Sequence, residues 1–186
     1  MKNIAIFASG EGTNAERIIR YFTDHPTVNV SLVITNKAEA GVIRRAKNLQ
    51  IPVEFLPASA FKEGKATDLL RQYEIDFIVL AGFLLRIPDD MLQAYLNRIV
   101  NIHPSLLPKF GGKGMYGSRV HEAVLASGEK ESGITIHYIN EHYDEGAIIL
   151  QTQCPVLSDD TPDSLATRVH QLEYEHYPVV IEKLLV

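Results

Sequence analysis

The stretch Asn3-Ile4-Ala5-Ile6-Phe7-Ala8-Ser9-Gly10-Glu11-Gly12-Thr13-Asn14 decides the fold of this chain. Residues 3–8 are apolar from Ile4 onward, which is typical of a buried strand. The two glycines that follow allow a tight turn, and a helix is predicted from Asn14 to Phe22. A strand that passes through a glycine turn into a helix is the repeating unit of an α/β protein.

Strands and helices continue to alternate through the first half of the 186 residues. Further strands are predicted at 28–35, 52–56 and 76–81, and further helices at 39–48, 65–73 and 88–96. The run Phe77-Ile78-Val79-Leu80 is continuously apolar, as expected of a strand that is covered on both faces. This alternation predicts a mostly parallel, twisted sheet with right-handed crossovers and helices on both faces.

The second half of the chain follows a different pattern. Residues 133–139 alternate in polarity and residues 148–156 form another strand, which together predict an antiparallel portion of the sheet. A long helix is predicted for 162–185, and Pro178 is expected to bend or interrupt it. Neither a linker nor a repeat divides the sequence, so we expect a single domain over residues 1–186.

Composition excludes several classes of function. The chain is 46% hydrophobic and 22% charged, which is ordinary for a globular protein, and its net charge of −5 argues against broad nucleic-acid binding. No apolar run reaches the roughly 20 residues of a membrane span, and the first residues enter a strand pattern without a signal segment. Cys154 is the only cysteine, which excludes an intrachain disulfide. We expect a cytoplasmic protein with no nucleic-acid or membrane partner.

The motif Asn101-Ile102-His103-Pro104-Ser105-Leu106-Leu107-Pro108 carries the strongest chemical signal. In an extended segment Asn101 and His103 lie on the same face, and Pro104 keeps His103 out of helical geometry. A neutral donor beside a titratable group suits a reaction in which a carbonyl becomes an oxyanion and protons move. The alternative is a strand end with a turn-capping asparagine and a surface histidine.

The first glycine turn suits an anion. Free backbone amides at a helix N-terminus attract phosphate, and Thr13 or Asn14 can also cap the helix. Ala15 and Glu16 stand where a dinucleotide fingerprint would have its third glycine, which disfavours NAD. A single phosphate fits the turn, and an ordinary strand-to-helix connection is the alternative.

The octapeptide and the glycine turn together resemble the folate-dependent formyltransferases, and the resemblance runs from Lys2 to about Pro178. It implies a Rossmann-like formyltransferase fold whose first half binds phosphate and whose second half completes a folate site. It also implies transfer of the formyl group of 10-formyltetrahydrofolate to the amine of 5-phosphoribosylglycinamide in purine biosynthesis. The implied partners are small-molecule substrates alone, with no metal, in a monomer or weak homodimer.

The resemblance also implies roles for individual residues. Asn101 donates to the oxyanion, His103 stabilises it as imidazolium, and Asp144 orients His103. Without the resemblance, the sequence favours a turn residue at Asp144. The implied phosphoribosylglycinamide-binding residues are Gly12, Thr13, Asn14, Pro104 and Glu173. The implied folate-binding residues are Leu84, Leu85, Arg86, Ile87, Asn101, Tyr138, Ile139 and Asn140.

Other polar residues are weaker candidates. His170, Glu173 and His176 recur every three residues but match no zinc motif, so we predict no metal there. His137 is expected beside the site as a structural residue, and His121 near the folate tail. Residues 111–114 are expected to form a flap over the substrates, where Lys109 or Lys113 would meet the folate tail.

Two alternatives to the transferase stay open. A formyltetrahydrofolate hydrolase would share the Asn-x-His and Asp residues but lacks the Gly-Thr-Asn turn. A phosphate-binding module without catalytic activity would have no reason to retain Asn101, His103 and Asp144 together.

Overall fold

The computed structural model describes residues 1–186 and contains seven strands and seven helices. The strands are β1 (Lys2–Phe7), β2 (Val28–Thr35), β3 (Val53–Phe55), β4 (Phe77–Leu80), β5 (Ile99–His103), β6 (Glu131–Tyr138) and β7 (Ile148–Pro155). The helices are α1 (Thr13–Tyr21), α2 (Gly41–Asn48), α3 (Ala58–Lys62), α4 (Lys65–Gln72), α5 (Asp89–Ala94), α6 (Ser118–Ser127) and α7 (Pro162–Leu185).

All seven strands form one mixed sheet in the order β3-β2-β1-β4-β5-β6-β7. The first five are parallel, whereas β6 runs antiparallel to β5 and β7 antiparallel to β6. The strand order reverses between β1 and β4, because the chain moves outward to β3 and then returns to the other side of β1. Ligands of open α/β sheets gather beyond the carboxyl ends of the strands at such a reversal.

Both faces of the sheet are covered, as the apolar strands predicted. In β1, Ile4 and Ile6 join the larger buried cluster, while Ala5 and Phe7 join the smaller one. Successive side chains of a strand point to opposite faces, so a strand between two layers must be apolar throughout. Helices α1, α2, α6 and α7 contribute to the larger cluster, and α3, α4 and α5 contribute to the smaller one.

Helix α7 runs unbroken through Pro178, which lies buried within it, so the prediction of an interruption was wrong. Thr161 and Ser164 form a capping box that fixes its start. Near Pro178, Tyr177 is fully buried and its hydroxyl donates to the Leu80 carbonyl at 2.8 Å. Packing and this bond hold the helix together across the one backbone hydrogen bond that proline cannot make.

The start of helix α1 also differs from its prediction. Gly12 is the N-cap, in the left-handed conformation with φ of 75°, and no side chain caps the helix. A Cβ on Gly12 would lie 2.5 Å from side-chain atoms of Val42, so α2 packs against a position that only glycine can occupy. Thr13 and Asn14 therefore do not cap the helix, and Asn14 is free to bond elsewhere.

Candidate active site

A cavity of about 710 Å³ opens at the carboxyl ends of β1, β4 and β5, where the strand order reverses. This volume is typical of small-molecule sites. Every residue assigned from the sequence to catalysis, to nucleotide binding or to the folate ring lines it, with the exception of Tyr138. Tyr138 packs against the larger core cluster, because it shares a strand face with Ile136 while His137 points the other way.

The predicted catalytic residues come together at the end of β5. Asn101 and His103 lie on this strand, and Asp144 lies in the loop that follows β6. The carboxylate of Asp144 sits between two imidazoles: Oδ2 is 3.7 Å from His103 Nδ1, and Oδ1 is 3.7 Å from His137 Nε2. These separations are ion-pair distances and are too long for hydrogen bonds.

His103 is 4% exposed and is fixed through its other ring nitrogen. Nε2 lies 2.8 Å from the carbonyl oxygen of Phe110. A carbonyl can only accept, so Nε2 carries a hydrogen and Nδ1 faces Asp144. The Asp144 carboxylate therefore lies on the Nδ1 side of the ring and the Phe110 carbonyl on the Nε2 side.

The amide of Asn101 is held by His137, which is fully buried. Nδ1 of His137 donates to the Tyr138 carbonyl at 2.9 Å, which leaves Nε2 as an acceptor for the Asn101 amide at 3.3 Å. Burial lowers the pKa of His137, against the opposing effects of the Tyr138 carbonyl and Asp144. The neutral ring therefore orients the Asn101 amide and leaves its second hydrogen for another acceptor.

Two glycines explain how Asp144 reaches this position. Its backbone has a φ of 56°, and its Oδ2 accepts the Gly112 N–H at 2.8 Å. A Cβ on Gly146 would lie 1.7 Å from the Tyr138 carbonyl oxygen, so the loop can press against β6 only with glycine there. The Asp-x-Gly spacing thus has a steric basis.

The opposite end of the cavity is built where α1 meets α7. Oε2 of Glu173 accepts two hydrogen bonds, from Asn14 Nδ2 at 2.7 Å and from His170 Nδ1 at 2.8 Å. Glu173 is 4% exposed, so it is not part of a solvated helix face. Its carboxylate raises the pKa of His170 through the hydrogen bond, against a smaller effect of burial.

His121, expected near the folate tail, lines the cavity beside His170. Its ring is 2% exposed and lies edge-on to His170, with 6.4 Å between ring centroids. Burial lowers its pKa, so the ring is neutral near pH 7. No sequence pattern indicates this contact, because His121 lies on α6 and His170 on α7.

The third wall of the cavity is the segment predicted to bind folate. Ile87 is buried in the smaller core and Leu85 packs against it, whereas Leu84 is exposed in the cavity. Arg86 donates to Asp89 at 3.0 Å, an ion pair at the surface. Ile139 and Asn140 line the facing wall.

The glycine loop borders the catalytic residues. Gly112 and Lys113 line the cavity, and the Gly112 amide is bound to Asp144. Lys109 instead pairs with Glu129 at 2.8 Å and does not line the cavity. Of the two lysines expected near a folate tail, only Lys113 is placed for it.

No group of three or more His, Cys, Asp or Glu side chains is arranged to hold a metal ion. None of the helices, α7 included, combines the length and the apolar character of a bilayer span.

The prediction of a formyltransferase rested on Asn101 and His103, which the structure places on one strand, and on Asp144, which faces them. The sequence model described as formyl transferase matches residues 2–181, and the chain belongs to this family. The family predicted from the sequence is thereby confirmed.

The relatives within this family carry the more specific name phosphoribosylglycinamide formyltransferase. The chloroplastic protein of Vigna unguiculata is 45% identical, over 98% of this chain and 61% of its own length. That of Bacillus subtilis is 40% identical, over 100% of this chain and 95% of its own. The chain thus spans about three fifths of the plant relative and nearly all of the bacterial one.

Solved structures agree with the fold. The phosphoribosylglycinamide formyltransferase of Bacillus halodurans has a TM-score of 0.90 at 40% identity, over 99% of this chain and 95% of that one. The glycinamide ribonucleotide transformylase 1 of Geobacillus kaustophilus has a TM-score of 0.91 at 35% identity, over all of both chains. The predicted fold class, including the antiparallel strands, is confirmed.

Proposed function

We propose that this protein transfers the formyl group of 10-formyltetrahydrofolate to the amine of 5-phosphoribosylglycinamide, as an enzyme of purine biosynthesis. The products are formylglycinamide ribonucleotide and tetrahydrofolate. The observation that carries the proposal is that one cavity holds three groups of residues: the catalytic residues, an anion-binding helix terminus and a buried carboxylate.

At the nucleotide end, the roles follow from charge and hydrogen-bonding capacity. The backbone amides of Gly12, Thr13 and Asn14 begin α1 without a side-chain cap, and they suit the phosphate. Glu173 makes both of its hydrogen bonds through Oε2, which leaves Oε1 to accept from the ribose hydroxyls. Pro104 lines the cavity between these groups and His103.

At the folate end, the walls suit a flat ring with polar edges. Leu85 and Ile87 supply apolar surface from one side and Ile139 from the other. Backbone groups of residues 84–87 and 139–140 would bind the polar edge of the pterin. Arg86 is half-exposed at the rim, where it suits the carboxylates of the folate tail.

The chemistry requires no covalent intermediate with the enzyme. The amine nitrogen bonds to the formyl carbon, the bond from that carbon to N10 of the folate breaks, and the proton lost by the amine passes to N10. The free hydrogen of the Asn101 amide stabilises the oxyanion, and His103 as imidazolium adds positive charge. Asp144 orients His103, and two bound substrates supply the gain from proximity.

The test is the absorbance of the folate product when the purified protein meets 10-formyltetrahydrofolate with and without glycinamide ribonucleotide. Turnover only with the nucleotide is the expected result. Turnover without it would replace the proposal with a hydrolase. Absence of turnover in both, with nucleotide binding retained, would favour the binding module.

Three expectations about the setting of the protein stay predictions. These are the cytoplasmic location, the absence of nucleic-acid and membrane partners, and a monomer or weak homodimer. Sedimentation velocity across a range of protein concentrations measures the last directly.

A further inference from the structure

One buried side chain, Ser9, links three strands just beyond their carboxyl ends. Its hydroxyl accepts the Leu84 N–H at 2.9 Å and donates to Asn36 Oδ1 at 2.6 Å. Its own N–H donates to the Gly82 carbonyl at 3.0 Å. Ser9 follows β1, Asn36 follows β2 and Gly82 follows β4, and Ser9 is only 3% exposed.

This position separates the two substrate walls of the cavity. The turn that begins α1 starts one residue after Ser9, and the proposed folate-binding segment starts at the amide that Ser9 binds. Backbone hydrogen bonds join β1 to β4 as far as the bond from Ser9 to Gly82. At Gly82, which has a φ of 74°, the chain turns away from the sheet. The Leu84 N–H therefore has no carbonyl of the sheet to bind, and it donates to the Ser9 hydroxyl instead.

We propose that Ser9 is a positioning residue that sets the folate-binding segment relative to the nucleotide turn. The inference rests on the proposed function, because it takes residues 84–87 to bind the formyl donor. Formyl transfer requires the amine and the formyl carbon to approach within about 3–3.5 Å, and a shift of about 1 Å can cost a hundredfold in rate. One hydroxyl shared by the two walls fixes that separation.

The test is Ser9→Ala, with KM measured separately for each substrate. The KM for 10-formyltetrahydrofolate is expected to rise about five- to tenfold, in keeping with one lost hydrogen bond. The kcat is expected to fall about tenfold, while the KM for the nucleotide changes less than about twofold. Without substrates, hydrogen exchange of the Leu84 amide should accelerate about tenfold, while that of Phe7 should not change.

Ser132→Ala is the matched control, because Ser132 is 2% exposed and its hydroxyl has no partner. Its kinetic constants are expected to equal those of the wild type. Ser9→Thr keeps the hydroxyl and should restore the donor KM to within about threefold of wild type. Asn36→Ala leaves the Leu84 bond in place and should raise the donor KM less than Ser9→Ala does.

The outcomes separate the two proposals. A wild-type protein without transferase activity would overturn the proposed function, whereas the exchange of Leu84 reports on the Ser9 bond without substrates. Active wild type with equal rises in both KM values for Ser9→Ala would overturn the positioning role alone. An unchanged rate of hydrogen exchange at the Leu84 amide in Ser9→Ala would also overturn the positioning role.

Discussion

The two ends of the cavity are built differently. At the nucleotide end, Glu173 is joined to Asn14 at 2.7 Å and to His170 at 2.8 Å. At the catalytic end, Asp144 is 3.7 Å from both His103 and His137, and each imidazole is held by a backbone carbonyl. At the nucleotide end the polar side chains are thus already hydrogen-bonded to one another. The catalytic end keeps the Asp144 carboxylate close to both imidazoles without a hydrogen bond to either, so its charge remains available when charge develops on the substrate.

The largest effect is expected when the charge at the catalytic end is removed. In Asp144→Asn the side-chain oxygen can still accept the Gly112 N–H, and asparagine tolerates the positive φ of this position. Only the negative charge beside His103 is lost. The kcat should fall about 10²- to 10⁴-fold, as for loss of an acid–base group, with both KM values within about threefold. Steady-state kinetics on the purified variant measures this.

Asp24→Asn is the control for Asp144→Asn. Asp24 is exposed, also has a left-handed backbone with φ of 59°, and lies outside the cavity. Its kinetics should match those of the wild type. An Asp144→Asn enzyme with full turnover would remove Asp144 from the mechanism and make the difference between the two ends irrelevant to catalysis.

At the nucleotide end, the corresponding change should affect binding and not turnover. Glu173→Gln keeps the size of the side chain but removes the charge that binds Asn14 and that we propose to bind the ribose. Hydrogen bonds to charged groups contribute about 1.5–3 kcal/mol, so the KM for the nucleotide should rise about 10- to 100-fold. The kcat at saturating nucleotide should stay within about threefold.

Glu175→Gln changes an exposed acid on the same helix, and its constants should not differ from wild type. Titration of the nucleotide by calorimetry gives the affinity directly. If Glu173→Gln lowered kcat and left the nucleotide affinity unchanged, binding and catalysis would not be divided between the two ends.

A smaller effect is expected at His137, which orients the Asn101 amide. His137→Phe retains an aromatic ring in this fully buried position but removes the acceptor for Asn101. The kcat should fall about tenfold, because one oxyanion donor becomes misaligned but is not lost. In a double-mutant cycle, His137→Phe should cost almost nothing further once Asn101→Ala is present. Additive losses would show that His137 acts by another route.

Part of the catalytic end, the pair of Asn101 and His103, was predictable from a short stretch of sequence, whereas Asp144 was identified only by the family resemblance. Asn101 and His103 share a face because a strand has a period of two, and Pro104 keeps His103 out of helical geometry. The glycine turn was also predicted correctly as the start of α1. The predicted capping of that helix by Thr13 or Asn14 was wrong. Local geometry carries these features, so no tertiary contact was needed to find them.

The contacts of the nucleotide end could not be predicted from short stretches of sequence. Glu173 looks like a residue of a solvated helix face until α1 is placed against it, and its partner Asn14 lies 159 residues away. Only the family resemblance identified Glu173. The contact of His121 with His170 was missed altogether, since it depends on how α6 packs on α7. A buried polar network joining two distant helices leaves no periodic signal in either one.

The smallest effect concerns the dependence of stability on pH at the nucleotide end. Glu173 raises the folded-state pKa of His170 above its usual 6.5. The stabilising contribution is therefore complete below pH 6.5 and is lost as the pH rises through the folded pKa. His170 is 45% exposed, so solvent screening keeps the contribution below about 1 kcal/mol.

His170→Gln should therefore lower the free energy of unfolding more at pH 5.5 than at pH 8.5, as measured by urea titration at each pH. His176→Gln, on the same helix, is the control, because it removes a histidine that is not among the ion pairs of α7, and at pH 5.5 it should lower the free energy of unfolding less than His170→Gln does. If His170→Gln lowered the free energy of unfolding more at high pH than at low pH, Glu173 would not favour the charged ring of His170. The contact between His170 and Glu173 would then be a hydrogen bond from a neutral ring to a carboxylate, and the contrast between the two ends would be one of distance.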